Sequence, residues 1–303
     1  MLGTLALVAL SLFVGVYDVT GAEDGWEMFW ITRVPRTLAL ILSGASLAIA
    51  GLIMQLMTQN RFAEPTTTGT VEWAGLGLLV TMILIPEPPI VVRMLGAVLF
   101  SLIGTFVFFA FLRRVALKSS LVVPIVGIML GAVVASLSTF LALQTNMLQQ
   151  MNTWFEGSFA SVVRGRYELL FIALFVGAIA FVTADRLTVI GLGKEIATNL
   201  GINYTLVLRL GIFIVSVVTG VTTVVVGSLP FLGLIVPNIV SMIRGDNLRS
   251  NLPSVALLGI AVVTACDLIA RTIIMPFEVP ISLVLATVGA AVFITLIVRR
   301  NHG

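Results

Sequence analysis

The chain has 303 residues, of which 59% are hydrophobic and only 10% are charged, and its mean hydropathy is +1.14. Soluble domains carry roughly 25% charged residues. This composition, with a net charge of +3, therefore excludes a soluble globular protein, a disordered chain and a nucleic-acid-binding domain. It predicts an all-α protein that crosses a membrane several times, because each crossing helix needs about 20 mostly apolar residues.

Stretches without charged residues predict the membrane helices in chain order. Nine such runs occur, at 1–17, 37–60, 73–86, 94–112, 119–155, 169–184, 210–243, 250–266 and 279–298. Gly227 and Pro230 interrupt the run 210–243 and mark a turn between two crossings. The run 119–155 ends in polar residues and holds one crossing followed by a loop. The count is therefore ten helices. Residues 1–303 are expected to form one membrane domain, since no connection is long enough for a soluble domain.

The basic residues predict the orientation, because they concentrate on the cytoplasmic side of membrane proteins. With both termini in the cytoplasm, eleven lysines and arginines fall in inner segments and six in outer segments. We therefore expect cytoplasmic termini. The first run lacks a basic region before it and a clear cleavage site after it, so it is expected to be the first crossing rather than a signal peptide.

The scarcity of metal-binding and catalytic side chains limits the chemistry. Cys266 and His302 are the sole residues of their types, which excludes a disulfide framework, a histidine zinc site and a Ser-His-Asp triad. The segment 191–194 is too short for a phosphate-binding loop. We expect the chain not to be an enzyme and to bind no cofactor or metal, so that any ATP and Mg²⁺ would bind a separate ATPase.

Charged side chains near helix ends are the first candidate functional residues. Arg33 and Arg36 lie on one face at the predicted start of the second helix. They would either extend to the membrane surface or form a fork for a carboxylate of a partner protein. Asp267 and Arg271 are four residues apart, which is the spacing of an ion pair within a helix.

The inner connection at about 185–206 contains a short amphipathic segment that ends at Gly201, a glycine suited to close a helix. Ile196 and Leu200 fall on one face of this segment. It is either a surface helix or a helix that docks into a groove of an ATPase.

Several motifs together resemble the FecCD-type permeases of binding-protein-dependent ABC importers, which carry ferric siderophores, haem and vitamin B12. The resemblance spans nearly the whole chain and is carried by 33–36 with Gly44 and Gly51, Gln55 with 60–65, 193–201, 227–234 with Pro237, 245–249 with Pro253, and Asp267, Arg271, Glu278 and Pro280.

The resemblance implies partners on both sides of the membrane. These are a second permease subunit, two ATPase subunits and a substrate-binding protein. It implies that Arg33, Arg36 and Arg271 dock the binding protein. It also implies that the segment 193–201 is the coupling helix, the short cytoplasmic helix that contacts the ATPase, through Gly193, Lys194, Glu195, Ala197, Leu200 and Gly201. It also implies that the fifth helix and the connection at about 144–166 form the translocation path and its gate. The candidate path residues are Ser136, Thr139, Gln144, Asn146, Met147, Met151 and Asn152. An ordinary polar loop is the alternative for this connection.

Departures from the common family pattern narrow the expected substrate. Asn60-Arg61-Phe62 stands where asparagine-proline-leucine is usual, and Asn238 stands where a histidine is common. Together with the segments 65–70 and 165–168, these features resemble the branch that handles catecholate-type ferric siderophores, in which two different permeases usually pair. A heterodimer is thus favoured and a homodimer stays possible. The alternatives are a haem or vitamin B12 permease, an ion-coupled secondary transporter and a membrane-embedded enzyme.

Overall fold

The computed structural model describes residues 1–15, 25–115, 121–245 and 247–300, without the side chains of 248 and 296–300. Lys118, Asp246 and His302, which the sequence analysis uses, lie outside the described residues. The described residues form helices and no β-strand. The α-helices are α1 (Leu2–Phe13), α2 (Gly25–Met28), α3 (Val34–Thr58), α4 (Thr70–Leu84), α5 (Ile90–Leu112), α6 (Val122–Gln144), α7 (Leu148–Phe155), α8 (Leu170–Val182), α9 (Ala184–Gly191), α10 (Lys194–Asn199), α11 (Tyr204–Val225), α12 (Leu232–Arg244), α13 (Leu248–Thr272) and α14 (Ile281–Arg300).

Ten of these segments are apolar helices, and they match the ten predicted from the charge-free runs. In the described part of the chain, five are long enough to cross a membrane, namely the continuous helix Gly25–Thr58 and helices α5, α6, α11 and α13. A sixth span is the pair α8–α9, which is bent by 70°. The shorter apolar helices are α1, α4, α12 and most of α14.

Helices α3 and α11 form the centre of the bundle, and both are largely buried. Glycines permit the closest approaches to α3. A Cβ added at Gly51 would lie 2.1 Å from the carbonyl oxygen of Gly233 on α12, so only glycine fits there. Gly44 packs in the same way against Gly259 of α13. Helix α6, in contrast, packs mainly on α4 and leaves a broad apolar face exposed.

The helix bounds in the structure differ from the predicted ones where a helix includes charged or polar residues. Helix α4 begins at Thr70 rather than near 73, and Glu72 lies in its first turn. The positive end of the helix dipole stabilises a carboxylate at that position. Helix α13 extends past Asp267 to Thr272. The polar connection predicted as a loop contains α7, an amphipathic helix whose own residue Met151 is buried.

The two ends of the bundle carry different features, and we name them by these features. Helix α1 ends, α3 begins and α13 ends at one face, which we call the arginine end. The opposite face holds α9 and α10, and we call it the α10 end. There, Arg249 and Asp185 form an exposed ion pair at 2.7 Å.

Candidate functional site

Arg36 joins two carboxylates at the arginine end. Its two terminal nitrogens each lie 2.8 Å from an oxygen, one of Asp267 on α13 and one of Glu278 in the connection between α13 and α14. The Asp267 side chain is 1% exposed, whereas that of Glu278 is 30% exposed. Arg36 is therefore held by one buried and one accessible carboxylate.

Arg271 is paired deeper in the same cluster. It lies 2.7 Å from the second carboxylate oxygen of Asp267, one helical turn away. It also donates hydrogen bonds to the Ser11 hydroxyl at 2.7 Å and to the Val14 carbonyl at 2.9 Å. Arg33 donates to the same Val14 carbonyl. These contacts connect the end of α1 to α3 and α13.

We call Arg33, Arg36, Asp267, Arg271 and Glu278 the arginine cluster. The sequence analysis expected its three arginines to point outward. The structure corrects that expectation, because all three residues are less than 10% exposed and their guanidinium groups turn toward acceptors within the chain. Three cations and two carboxylates leave a formal charge of +1 on the cluster, so it still favours an acidic partner.

The predicted gate connection, residues 144–166, packs against the turn between α11 and α12. The Ser158 amide donates a hydrogen bond to the Val226 carbonyl at 2.9 Å, and Ser282 at the start of α14 donates to the Gly157 carbonyl at 3.4 Å. We call residues 144–166 the gate segment. It is thus attached to both α11 and α14.

The candidate path residues divide between exposed and buried positions. Ser136 and Thr139 lie on the exposed side of α6, where each hydroxyl donates to the backbone carbonyl four residues earlier. Gln144, Asn146 and Asn152 are exposed, whereas Met147 is half-buried and Met151 is buried. Nothing in the geometry assigns these side chains to a path, and their role stays a prediction.

A cavity of about 310 Å³ lies between the gate segment, the end of α11 and the connection before α14. Its walls carry Trp154, Glu156 and Ser158 of the gate segment and Glu278 and Pro280 of the connection before α14. Glu278 therefore belongs to both the arginine cluster and the cavity wall.

The short helix predicted within 193–201 is present at the α10 end as α10, which is preceded by the separate helix α9. The amide of Gly201 donates to the Thr198 carbonyl and that of Ile202 donates to the Ala197 carbonyl, both at 2.9 Å. Gly201 has a φ of +75°. This arrangement is a Schellman motif, which ends a helix with a left-handed glycine.

The surface around α10 is apolar despite its position at the end of the bundle. Leu192 is 57% exposed, Ile196 46% and Leu200 62%. Ala197 is buried and attaches the helix to the bundle, while Lys194 and Glu195 are exposed beside the apolar residues. These three exposed apolar side chains, one on α10 and one on each side of it, favour burial against a partner protein.

A buried carboxylate, Glu64, has a structural role that the sequence analysis did not assign. Its side chain accepts a hydrogen bond from the Phe231 amide at 3.0 Å and one from the Thr66 hydroxyl. Phe231 precedes α12, so the carboxylate caps a helix start from a distant part of the chain. The sequence shows Glu64 only as a member of the family motif at 60–65. Its contact with Phe231 could not be predicted, because the two residues are 167 positions apart in the chain.

Comparisons with known proteins agree with the helical architecture. A sequence model described as the FecCD transport family matches residues 3–299. The petrobactin import permease FatD of Bacillus anthracis is 59% identical over 98% of this chain and 89% of its own length. The petrobactin import permease YclN of Bacillus subtilis is 40% identical over 98% of this chain and 96% of its own length. The ferric-anguibactin permease FatD of Vibrio anguillarum is 39% identical over 99% of this chain and 97% of its own length.

A solved structure has the same fold. A metal-chelate type ABC transporter in an inward-facing conformation superposes with a TM-score of 0.85, covering 98% of this chain and 97% of that one. Its sequence is 24% identical, so this likeness concerns the fold alone.

Proposed function

The chain belongs to the FecCD transport family, and from this membership we propose that it is the membrane-spanning permease subunit of an ATP-driven ABC importer for a ferric siderophore. The observation that carries the proposal is the 59% identity to a petrobactin import permease over nearly the whole chain. The 40% and 39% identical relatives are also named for siderophores. We favour a catecholate-type ligand over haem or vitamin B12.

The proposed orientation puts the arginine end outside and the α10 end in the cytoplasm. The positive-inside rule supports this choice, since the connections at the α10 end hold the larger number of basic residues. Both termini are then cytoplasmic, and the membrane is the bacterial cytoplasmic membrane.

We assign binding-protein docking to Arg33, Arg36 and Arg271. The net positive charge of the arginine cluster supports this role. In the present conformation these side chains have partners within the chain, so docking requires an exchange in which an acidic side chain of the binding protein takes the place of an internal acceptor. Such charge pairs mainly steer association and fix the register of the two proteins.

ATPase coupling is assigned to the segment from Gly193 to Gly201, including Lys194, Glu195, Ala197 and Leu200. The exposed apolar residues on and beside α10 would enter a groove of the ATPase, and movement of that subunit would reach the bundle through α9. ATP and Mg²⁺ belong to that partner, and this chain binds no cofactor of its own.

A second permease subunit completes the proposed path. The exposed face of α6, which carries Ser136 and Thr139, would meet it and share the path with Gln144, Asn146, Met147, Met151 and Asn152 of the gate segment. A heterodimer is favoured and a homodimer is the alternative. The complete importer then has two permeases, two ATPase subunits and one binding protein.

Reconstitution of the complete importer in proteoliposomes tests the proposal. We expect uptake of ⁵⁵Fe-labelled ferric petrobactin that requires both ATP and the binding protein and is insensitive to ionophores. Equal uptake of vitamin B12 would overturn the substrate class. Uptake that follows an ion gradient without the ATPase would instead make the chain a secondary transporter.

A further inference from the structure

Glu278 occupies the accessible side of Arg36, and this contact has a consequence for docking. Of the two carboxylates on Arg36, Asp267 is buried and is also held by Arg271, whereas Glu278 is 30% exposed and has Arg36 as its ion-pair partner in the described structure. An incoming carboxylate can therefore replace Glu278 with far less rearrangement than Asp267.

We propose that Glu278 is an internal placeholder, which occupies on Arg36 the position that a carboxylate of the docked binding protein takes. This inference rests on the proposed function. The exchange conserves charge, since one carboxylate replaces another on the same guanidinium nitrogen. Asp267 stays paired and keeps Arg36 oriented during the exchange.

The displaced side chain has a defined place to go. Glu278 already forms part of the wall of the cavity of about 310 Å³ that the gate segment lines. The cavity also presents Ser158 and Ser161, whose hydroxyl groups can donate hydrogen bonds to a carboxylate, while the like-charged Glu156 on the same wall is exposed to solvent, which screens its repulsion. Glu278 can therefore leave Arg36 without becoming buried and unpaired.

The backbone around Glu278 carries this exchange toward the gate segment. The next residue, Val279, donates a hydrogen bond to the Ala270 carbonyl of α13 at 3.0 Å. Three residues further on, Ser282 donates to the Gly157 carbonyl of the gate segment at 3.4 Å. A shift of Glu278 from Arg36 into the cavity is thus transmitted over a few residues to the segment proposed to gate the path.

The placeholder predicts that removing Glu278 strengthens docking, which is the opposite of what loss of a docking residue does. We expect Glu278→Gln and Glu278→Ala each to tighten binding of the importer's own binding protein about 1.4- to fivefold, which corresponds to the 0.2–1 kcal/mol of an exposed ion pair. Arg36→Gln should weaken binding. The measurement is equilibrium binding of the fluorescently labelled binding protein to the whole importer in lipid nanodiscs.

Glu87→Gln is the matched control, because Glu87 is an exposed acid in the connection between α4 and α5 at the same end and lies outside the arginine cluster. It removes the same charge and should tighten binding less than Glu278→Gln. If Arg36→Gln weakens binding while both Glu278 variants bind no more tightly than the unmodified importer, the placeholder is wrong and the docking proposal survives. If Arg36→Gln leaves binding unchanged, both the docking proposal and the placeholder proposal are wrong.

Discussion

At the scale of single residues, Asp267 is the centre of the arginine cluster. It pairs with Arg36 of α3 and Arg271 of α13, both at distances below 3 Å, and its side chain is 1% exposed. Burial of charges is tolerable only when each has a partner, because an unpaired buried charge is strongly unfavourable. The carboxylate therefore stabilises two cations and joins two helices.

Replacing Asp267 by alanine should destabilise the protein strongly. The variant leaves Arg271 buried without a carboxylate, and removing one member of a buried pair costs about 3–5 kcal/mol. Thermal unfolding of the detergent-solubilised permease measures the effect. Asp185→Ala is the control, since Asp185 belongs to the exposed pair with Arg249 and its loss should cost about 0–1 kcal/mol. Equal unfolding temperatures for the two variants would contradict the structural role of Asp267.

The sequence predicted the residues of this cluster better than their direction. It identified the three arginines and the Asp267–Arg271 spacing, because both patterns are local. The contact of Arg36 with Asp267 and Glu278 spans 231 and 242 positions of the chain, and no local pattern contains it. Glu278 was quoted as part of a family motif, but its partner depended on how α3 and α13 pack.

At the scale of helices, glycine contacts determine how close α12 lies to α3. Gly51 and Gly233 bring the two backbones together just where Glu64 caps the start of α12. The sequence alone does not show what the glycines within the helices contact. In the structure Gly127 packs against the backbone of Thr67, which belongs to the connection before α4 and not to a helix.

Gly51→Ala should therefore disturb the contact between α3 and α12. Overpacking of a well-packed site costs about 1–3 kcal/mol, and the contacting atoms here are backbone atoms that cannot rotate away. Gly177→Ala on α8 is the control, because a Cβ at that position meets no atom within 4 Å. We expect a lower unfolding temperature and less assembled importer for Gly51→Ala alone. Similar behaviour of the two variants would show that the α3–α12 contact is loose.

The Schellman motif at the end of α10 gives a second prediction at this scale. Gly201→Ala adds no steric contact, since nothing lies within 4 Å of the new Cβ, but it forces a side chain into the left-handed region at φ +75°. This costs about 1–2 kcal/mol and should fray the end of α10. We expect weaker co-purification of the ATPase with unchanged binding of the substrate-binding protein. Equal loss of both partners would indicate a general folding defect.

At the scale of the whole molecule, the order of the helices was predictable and their exact ends were not. Charge-free runs identified ten segments because charges avoid the hydrocarbon interior. The same rule ended α13 too early, because Asp267 is paired, and started α4 too late, because Glu72 lies in the first turn of that helix. The prediction missed the short helix α7, because its polar residues are typical of a loop.

The orientation of the molecule can be tested with two exposed residues at opposite ends. Phe277 is 74% exposed beside the arginine cluster, and Leu200 is 62% exposed at the end of α10. Cys266 is free and buried, so replacing it by alanine gives a background without native thiols. In that background, a membrane-impermeant maleimide should label Phe277→Cys in intact cells and Leu200→Cys only after the membrane is opened.

The two labels are matched because both positions are accessible in the described structure, so a difference in reactivity reports the side of the membrane and not burial. Labelling of both cysteines after the membrane is opened checks that each variant is folded and exposed. The reverse pattern in intact cells would put α10 outside, where it could not meet a cytoplasmic ATPase. That result would overturn the orientation, and with it the assignment of docking to the arginine end and of coupling to α10.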